Sequence, residues 1–304
     1  MPSPSTVTRV APTDFDWSSD HGPAAAVRRV VELSSAADGT APLDEAALLA
    51  LRHGRSTSPL WVAGAHGFAW LHDGGLHLVV APPARGHGVG GALAAAATSV
   101  PGPLTAWSHG NHPAAAALAR RYGFDRVRDL WVMRRPLADL VSTPGDDSHE
   151  VDVRTFRVGE DEEAFLALNA DAFAHHPEQG RMTRADLDER MAEPWFDPAG
   201  FFLASRDGRL VGFHWTKVHA ATAQHPAYGE VYVVGVSATA QGGGLGRRLT
   251  LTGLQHLASL GLHEVMLYVE AENAPAIAVY RRLGFTHTAE DTHVQYARSS
   301  EDGR

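Results

Sequence analysis

Apolar and polar positions along the chain predict short strands and amphipathic helices that alternate twice over. Apolar runs bounded by Gly, Pro and Asp predict strands, and apolar positions at helical spacing predict helices. The first half gives helices at 24–36, 45–51, 92–99 and 113–121 and strands at 60–63, 67–71, 76–80, 103–107 and 124–133. The second half gives strands at 151–157, 200–205, 209–218, 229–236, 264–270 and 285–296 and helices at 160–172, 184–191, 247–260 and 274–283.

A polar segment separates the two series of elements. Residues 137–150 are rich in Pro, Gly, Asp and Ser, which is typical of a linker. We therefore predict one domain at 1–140, a linker at 141–150 and a second domain at 151–304. A chain of 304 residues is long enough for two domains that each bury a core.

The two halves also match each other residue by residue in two places. Leu78–Gly90 corresponds to Val234–Gly246, and Arg120–Phe124 corresponds to Arg281–Phe285. An internal repeat of this size indicates a duplicated domain.

A glycine-rich turn follows the apolar strand in both halves. Gly242, Gly243, Gly244 and Gly246 lie between the strand that ends at Val236 and the following helix. Such a turn binds phosphate, because the N–H groups at a helix start lack intrahelical partners and glycine lets the backbone approach closely. A Walker loop requires GxxxxGK[ST], which neither half contains. A dinucleotide fingerprint fits the first half by its letters but lacks the acidic residue that should follow it, and it does not fit the second half.

The pattern that fits both turns is [QR]-x-x-G-x-[GA], at Arg85–Gly90 and Gln241–Gly246. A second pattern, N-x-x-A-x-x-x-Y-x-x-x-G-F, occupies Asn273–Phe285. With both patterns in order, the chain resembles the GCN5-related N-acetyltransferases (GNAT superfamily) over nearly its whole length. The resemblance implies an α/β fold (an α+β mixed sheet) of two tandem GNAT domains, each a central, mostly antiparallel sheet flanked by helices.

The resemblance implies acetyl-CoA as co-substrate and no metal. It also implies that the strand before the glycine loop separates from the next strand. Backbone groups near Val234–Val236 are then free to pair with pantetheine, and Gly235 lets the cofactor approach the backbone closely. The cofactor contacts that it implies in the second half are Val234, Gly235, Val236, Gln241, Gly242, Gly243, Gly244, Leu245, Gly246, Arg247, Asn273, Ala274, Pro275, Ala276, Ile277 and Ala278. In the first half they are Leu78, Val79, Val80, Gly86, His87, Gly88, Val89, Gly90 and Gly91.

Three residues are candidates for the chemistry of acetyl transfer. Glu230 opens the strand and lies six residues before Val236, so strand alternation predicts that the two share a face. Glu230 is a candidate general base, directly or through a water, and the Val236 N–H a candidate oxyanion donor. Tyr280 occupies the position where the superfamily places the acid that protonates the leaving thiolate. The alternatives are a surface carboxylate for Glu230, a packing role for Tyr280 and a helix cap for Asn273.

The first half lacks these groups. The repeat aligns Gly74 with Glu230, Ala119 with Tyr280 and His112 with Asn273. We therefore predict one active site, in the second half, and a first half that binds acetyl-CoA without turnover or only shapes the cleft.

The resemblance narrows to the mycothiol synthases of actinobacteria, which acetylate the cysteinyl amine of Cys-GlcN-Ins. The segments that carry it are 174–180, 212–219, 229–236 and 267–273. The acceptor contacts that it implies are Glu45, Glu178, Lys217, Glu230 and Tyr268. Glu45, Glu178 and Lys217 also have ordinary alternatives as a first-turn helix acid, a loop charge and a solvated strand residue. Other open functions are a GNAT enzyme acting on a peptide N-terminus or an aminoglycoside, and a non-catalytic acyl-CoA sensor.

Composition excludes several other classes. A net charge of −9 argues against general nucleic-acid binding, and no apolar run is long enough to span a bilayer. The chain has no cysteine, hence no disulfide, and 18 histidines whose spacing forms no zinc motif. The N-terminus lacks the order of a signal peptide. We expect a cytoplasmic protein with small-molecule substrates and no nucleic-acid or membrane partner, with a monomer as the working assumption.

Overall fold

The structure is a computed structural model that describes residues 6–11, 14–52, 58–138, 140, 151–174, 179–222 and 225–299. The helices are α1 Gly22–Asp38, α2 Glu45–Arg52, α3 Val89–Thr98, α4 Pro113–Arg121, α5 Glu162–Ala172, α6 Arg184–Met191, α7 Leu245–Ser259 and α8 Ala274–Arg282. The strands are β1 Thr8–Val10, β2 Leu60–Val62, β3 Gly67–His72, β4 Gly75–Val80, β5 Leu104–Ser108, β6 Asp125–Pro136, β7 Asp152–Thr155, β8 Phe201–Arg206, β9 Arg209–His219, β10 Tyr228–Val236, β11 Glu264–Glu270 and β12 Thr292–Arg298.

The chain folds into two compact units. The first unit consists of Met1–Trp131, Glu270–Glu272 and Thr288–Arg304, and the second of Val132–Val269 and Asn273–His287. The predicted linker at 141–150 lies outside the described residues. The linear boundaries at 1–140 and 151–304 stay a prediction.

The first unit is a mostly antiparallel sheet with the strand order β1-β2-β3-β4-β5-β12-β6. Its one parallel contact among the described strands joins β4 to β5 at Gly75 and Thr105. Apolar side chains cover both faces: Leu93 of α3 lies in the cluster on one face, and Phe68 and Trp70 lie with α1 in the cluster on the other. The C-terminal strand β12 therefore completes the sheet that the N-terminal half begins.

The second unit repeats this design with the order β7-β8-β9-β10-β11. Here the described parallel pair is β10 and β11. One face carries an aromatic core, in which Phe201 stacks on Trp215 at 4.6 Å between ring centroids and Phe165 meets Phe201 edge-on at 4.9 Å. The other face packs against α7 through Leu245 and Leu249. The predicted mixed, mostly antiparallel architecture is confirmed in both units.

The predicted elements are confirmed except at a few boundaries. Strand β1 was not predicted. The strand predicted at 285–296 is wrong in its first part, because β12 starts only at Thr292 and a 3₁₀ turn, Ala289–Asp291, precedes it. Helices α3 and α7 start earlier than predicted, because each begins directly after a glycine in the left-handed region, Gly88 or Gly244.

Helix α7 packs closely against β9 where Gly253 of the helix meets His214 of the strand. His214 is fully buried, and its Nδ1 lies 2.8 Å from the Leu249 carbonyl oxygen, to which it donates. Burial lowers the pKa of His214 to about 4, so the ring is neutral at pH 7. A Cβ at Gly253 would overlap this ring, so the helix comes this close to the sheet only because residue 253 has no side chain.

Gly253→Ala is expected to lower the free energy of unfolding by about 1–3 kcal/mol, because the added methyl group forces the His214 ring or the helix to move. Gly246→Ala in the same helix is the matched control, since a Cβ there meets Val236 Cγ2 at an ordinary 3.7 Å. The control is expected to unfold within about 1 kcal/mol of wild type. Chemical denaturation measures both, and equal stability of the two variants would contradict the packing argument.

Candidate active site

The site of the second unit starts where two neighbouring strands part. The parallel register between β10 and β11 joins Gly229–Val231 to Val265–Leu267. On its other edge β10 stays paired with β9 as far as Val236. In the described part of this unit, therefore, the last five residues of β10 are paired on one edge only, and a gap opens towards β11.

The backbone of β10 presents alternate N–H groups to this gap. The Ser237 N–H donates to the Val211 carbonyl of β9 at 2.9 Å. Because successive residues of a strand direct their N–H groups to opposite edges, the N–H groups of Val234 and Val236 point away from β9. These are the two donors predicted to meet pantetheine and the thioester oxygen.

A glycine loop lies directly beyond the gap. Gly242 has φ +87° and Gly244 has φ +79°, backbone conformations that residues other than glycine adopt only at an energetic cost. A Cβ at Gly242, Gly243 or Gly244 would meet no heavy atom within 4 Å, so the loop is open. The start of α7 adds bare N–H groups and the positive end of the helix dipole, which suit a pyrophosphate.

The first residue of the loop is tied back to the strand. The Gln241 Nε2 donates to the Val236 carbonyl at 3.3 Å, which fixes the distance between the strand end and the loop. The first unit repeats this contact, since the Arg85 Nε donates to the Val80 carbonyl at 3.0 Å. Arg85 is also paired with Asp38, at 2.6 Å. In that unit β4 and β5 part after a single register position, and Gly86 and Gly88 take positive φ as in the second loop.

A bulge in β10 changes the predicted arrangement of side chains. The register with β9 shifts between Val231 and Val233, so that Tyr232 is an extra residue. An extra residue reverses the alternation of faces. Glu230 therefore lies on the face of Lys217 and the aromatic core, whereas the Val236 side chain lies on the α7 face. The prediction that Glu230 and Val236 share a face is wrong.

Gly235 has a packing role that the sequence did not reveal. A Cβ at this position would lie 2.6 Å from the Phe213 ring and 3.1 Å from Ala172 of α5. The glycine is therefore required by the aromatic core. Its predicted contact with the cofactor stays a prediction.

Glu230 is buried and hydrogen-bonded. It is 5% exposed, and its Oε2 lies 2.6 Å from the Nε2 of His219 on β9. The His219 ring stacks on Tyr228, with 4.4 Å between centroids and 12° between planes. The surface-carboxylate alternative for Glu230 is thus wrong. His219 is absent from the predicted site residues; the alternation of Lys217 and His219 on β9 was a signal for it, but one usable only with the strand register.

Lys217 stands directly opposite Glu230 in the register of β9 and β10. Its Nζ lies 4.3 Å from the centroid of the Trp195 ring and 5.1 Å from that of Tyr232, distances at which ring faces attract a cation. The Tyr232 hydroxyl in turn accepts from the Arg190 Nε at 3.0 Å. Aromatic rings therefore hold the ammonium group, and Trp195, Tyr232 and Arg190 are further residues that the sequence did not single out.

Tyr280 lies on helix α8, and Asn273 directly precedes that helix. Tyr280 is 9% exposed and packs edge-on against Phe285, and burial raises the pKa of its phenol to about 12. The phenol therefore keeps its proton throughout the neutral range. The Asn273 Oδ1 accepts from the Ala276 N–H at 3.2 Å, so the predicted alternative of a helix cap is confirmed for this residue.

The remaining predicted acceptor contacts belong to different elements of the chain. Tyr268 lies on β11 and is 42% exposed, and Glu45 is the first residue of α2 in the first unit. Glu178 lies outside the described residues. Within the described ranges no group of three or more His, Asp or Glu is placed to hold a metal ion. None of the helices described has the length and hydropathy needed to cross a membrane.

Known proteins share much of this sequence. The acetyltransferase (GNAT) family profile matches residues 165–285, which include β10, the glycine loop and Tyr280. A mycothiol acetyltransferase of a Nocardioides species is 56% identical over 289 residues, covering 90% of this chain and 97% of its own. That of Streptomyces avermitilis is 48% identical over 292 residues, covering 92% of both chains. The chain belongs to the mycothiol acetyltransferase family.

Solved structures agree with this family's tandem GNAT fold. A tandem GNAT protein from the clavulanic acid biosynthesis pathway has a TM-score of 0.69 at 20% identity, covering 98% of this chain and 99% of its own. A GCN5-related N-acetyltransferase from Sphaerobacter thermophilus has a TM-score of 0.63 at 22% identity, covering 96% and 95%. At such identities the likeness shows the fold alone. As a mycothiol acetyltransferase relative with a GNAT domain, the protein is an acetyltransferase that uses acetyl-CoA as co-substrate.

The two glycine loops provide a matched test of where turnover occurs. Gly244→Ala and Gly88→Ala replace equivalent glycines, with φ +79° and +85°, and neither added Cβ would meet a heavy atom within 4 Å. Strain of about 1–2 kcal/mol in the loop predicts a 5- to 30-fold loss of kcat/KM for acetyl-CoA in Gly244→Ala. We expect a loss below threefold in Gly88→Ala. Equal losses, in variants of equal thermal stability, would refute a single active site in the second unit.

Proposed function

We propose that the protein transfers an acetyl group from acetyl-CoA to the cysteinyl amine of Cys-GlcN-Ins and so forms mycothiol. The observation that supports this most is the position of Glu230, a buried carboxylate on β10 at the point where β10 and β11 part. A base, two backbone donors and a phosphate loop then follow one another along a single stretch of chain. Relatives named mycothiol acetyltransferase match this chain over nearly its whole length.

The first step makes the amine nucleophilic. An amine in water at neutral pH is mostly an ammonium ion, which has no lone pair to attack with. The Glu230 carboxylate binds this ammonium and accepts one of its protons, directly or through a water. Burial of Glu230 favours such pairing, because a carboxylate that has lost most of its water gains more from a cationic partner.

The second step is attack on the thioester carbonyl. The Val236 N–H, which points into the gap, donates to the oxygen as negative charge develops there. As the tetrahedral intermediate collapses, the C–S bond breaks, the amide forms and the nitrogen loses its second proton. The Tyr280 phenol supplies a proton to the departing sulfur, and the second proton lost by the nitrogen restores the phenol. The overall reaction consumes an ammonium ion and releases one proton and free CoA, and no step requires a metal.

The acceptor is bound by charged and hydroxyl groups. A pseudo-disaccharide offers many hydroxyls, for which carboxylates and an ammonium are suitable partners. Lys217 is held in place by the rings of Trp195 and Tyr232, and Tyr268 offers a partly exposed phenol on β11. We assign acceptor contacts to these residues, and Glu45 and Glu178 remain predicted contacts.

The first unit supports binding without turnover. It has the parted strands, the open glycine loop and the helix start that suit acetyl-CoA. Gly74 lies in the tight turn before β4, where the second unit has Glu230, and Ala119 is aligned with Tyr280. We further propose that the protein acts in the cytoplasm as a monomer, with no nucleic-acid or membrane partner.

Assays with three different amines identify the acceptor. Purified protein and acetyl-CoA are offered Cys-GlcN-Ins, a peptide with a free N-terminus, or an aminoglycoside, and products are weighed by mass spectrometry. Treatment with hydroxylamine separates the stable N-acetyl product from an S-acetyl by-product. We expect N-acetylation of Cys-GlcN-Ins with kcat/KM at least 100-fold above the other two. Preference for the peptide or the aminoglycoside would assign the protein to another GNAT activity.

Glu230→Gln is expected to lower kcat/KM for Cys-GlcN-Ins by about 10²–10⁴-fold at pH 7, because the amide cannot accept the proton. The control is Glu264→Gln on the neighbouring strand, whose side chain is 49% exposed and which should keep wild-type turnover. Tyr280→Phe is expected to lower kcat while leaving the KM for acetyl-CoA within twofold. Retention of full activity by Glu230→Gln would remove Glu230 from the mechanism.

A further inference from the structure

We propose that His219 is the proton-relay and positioning partner of Glu230, holding the carboxylate and carrying its proton to water. This inference rests on the proposed function, since it deepens the account of the base. The two side chains differ in access: that of Glu230 is 6% exposed and that of His219 is 28% exposed. A base that takes up one proton in each turnover must lose it again. The buried carboxylate has little contact with water, whereas more than a quarter of the imidazole side chain next to it is exposed.

The contact between the two is short and set by the sheet. The Nε2 of His219 lies 2.6 Å from the Glu230 Oε2, within the range of a hydrogen bond to a charged acceptor. In the register of β9 and β10, His219 faces Tyr228 and Lys217 faces Glu230. His219 and Glu230 are thus diagonal neighbours on one face, and two strands of backbone fix their separation.

Tyr228 fixes the orientation of the imidazole ring. The two rings lie 4.4 Å apart and are nearly parallel, so that one face of the imidazole is covered. The stack leaves the ring edge to make hydrogen bonds, with Nε2 on Glu230 and Nδ1 on the opposite side. An imidazole held in this way can accept a proton on one side and release one on the other.

The other charged groups near His219 and Glu230 have partners of their own. On β9 the Lys217 ammonium is held by aromatic rings, and from α6 Arg190 bonds to the Tyr232 hydroxyl. Around Tyr228, Arg134 of β6 and Glu264 of β11 form an ion pair at 3.0 Å, so their charges largely offset each other. Burial, followed by the charge of Glu230, raises the pKa of the Tyr228 phenol, so this ring remains neutral.

The relay conserves protons. The N–H bond of the acceptor ammonium breaks and an O–H bond forms on Glu230. That proton passes from Glu230 to the bare Nε2 of the neutral ring, whose own proton is on Nδ1, and this gives an imidazolium ion beside a carboxylate. The Nδ1–H bond then breaks to water, and exchange with water returns the remaining ring proton from Nε2 to Nδ1. The pair returns to a carboxylate and a neutral imidazole, ready for the next acceptor.

Kinetics and rescue test the relay. His219→Gln keeps a hydrogen-bond donor but cannot titrate, and we expect kcat/KM for Cys-GlcN-Ins to fall at least tenfold and its pH profile to lose one ionising group. His219→Ala is expected to fall further, and added imidazole to restore at least fivefold of the loss. His225→Gln, which replaces an exposed histidine of the loop between β9 and β10, is the control and should match wild type. Wild-type kcat/KM and pH profile in His219→Gln, or no rescue of a folded His219→Ala, overturn the relay.

A second measurement separates this inference from the proposed function. The His219 ring is followed by NMR during a pH titration of the free protein, assigned by its loss in His219→Gln. We expect Glu230→Gln to lower the midpoint of this titration, because the imidazolium then loses its carboxylate partner. If wild type fails to acetylate Cys-GlcN-Ins although the midpoint shifts, the proposed function fails and the pair stands. If wild type is active and the midpoint does not shift, the pair is wrong.

Discussion

The parting of β10 from β11 after Val231 is the constraint on which the rest of the second unit depends. In a strand inside a sheet, the N–H groups normally donate to the carbonyl groups of both neighbouring strands, and none remain for a ligand. Here β9 pairs with one edge of β10 to its end, and the other edge, which parts from β11 after Val231, is where we propose that the thioester binds. The bulge at Tyr232 sits at the same point. It places Glu230 with Lys217 and His219 on one face and leaves Val234 and Val236 to pack against α7 on the other.

We propose that the two units of this duplicated fold divide binding and chemistry between them. Both have parted strands, a positive-φ glycine loop and a side chain that ties the loop to the strand end, Arg85 or Gln241. The parted strands and the glycine loop are made by backbone geometry, and none of the three features depends on a reactive side chain. Glu230 and Tyr280, by contrast, have Gly74 and Ala119 as counterparts. On this proposal the shared features account for affinity towards a CoA-like molecule, and the residues found in one unit account for the reaction.

Local features were predictable from the sequence, and non-local ones were not. The glycine loop, the helix cap at Asn273 and most element boundaries follow from short-range rules of turn and helix chemistry. Placement of β12 in the first unit, the bulge at Tyr232 and the contact between His219 and Glu230 depend on strand register, which joins residues far apart in the chain. The packing role of Gly235 was missed for the same reason, because Phe213 and Ala172, which require it, belong to other elements.

We propose that β10 offers alternate N–H groups to the pantetheine arm and the thioester of acetyl-CoA in the second unit. Amide hydrogen exchange of 15N-labelled protein, measured by NMR with and without acetyl-CoA, tests it residue by residue. The N–H groups of Val234 and Val236 should become protected on binding, while those of Val233 and Gly235, which face β9, should change little. Uniform protection along β10, or none at Val234 and Val236 at saturating acetyl-CoA, would contradict the account.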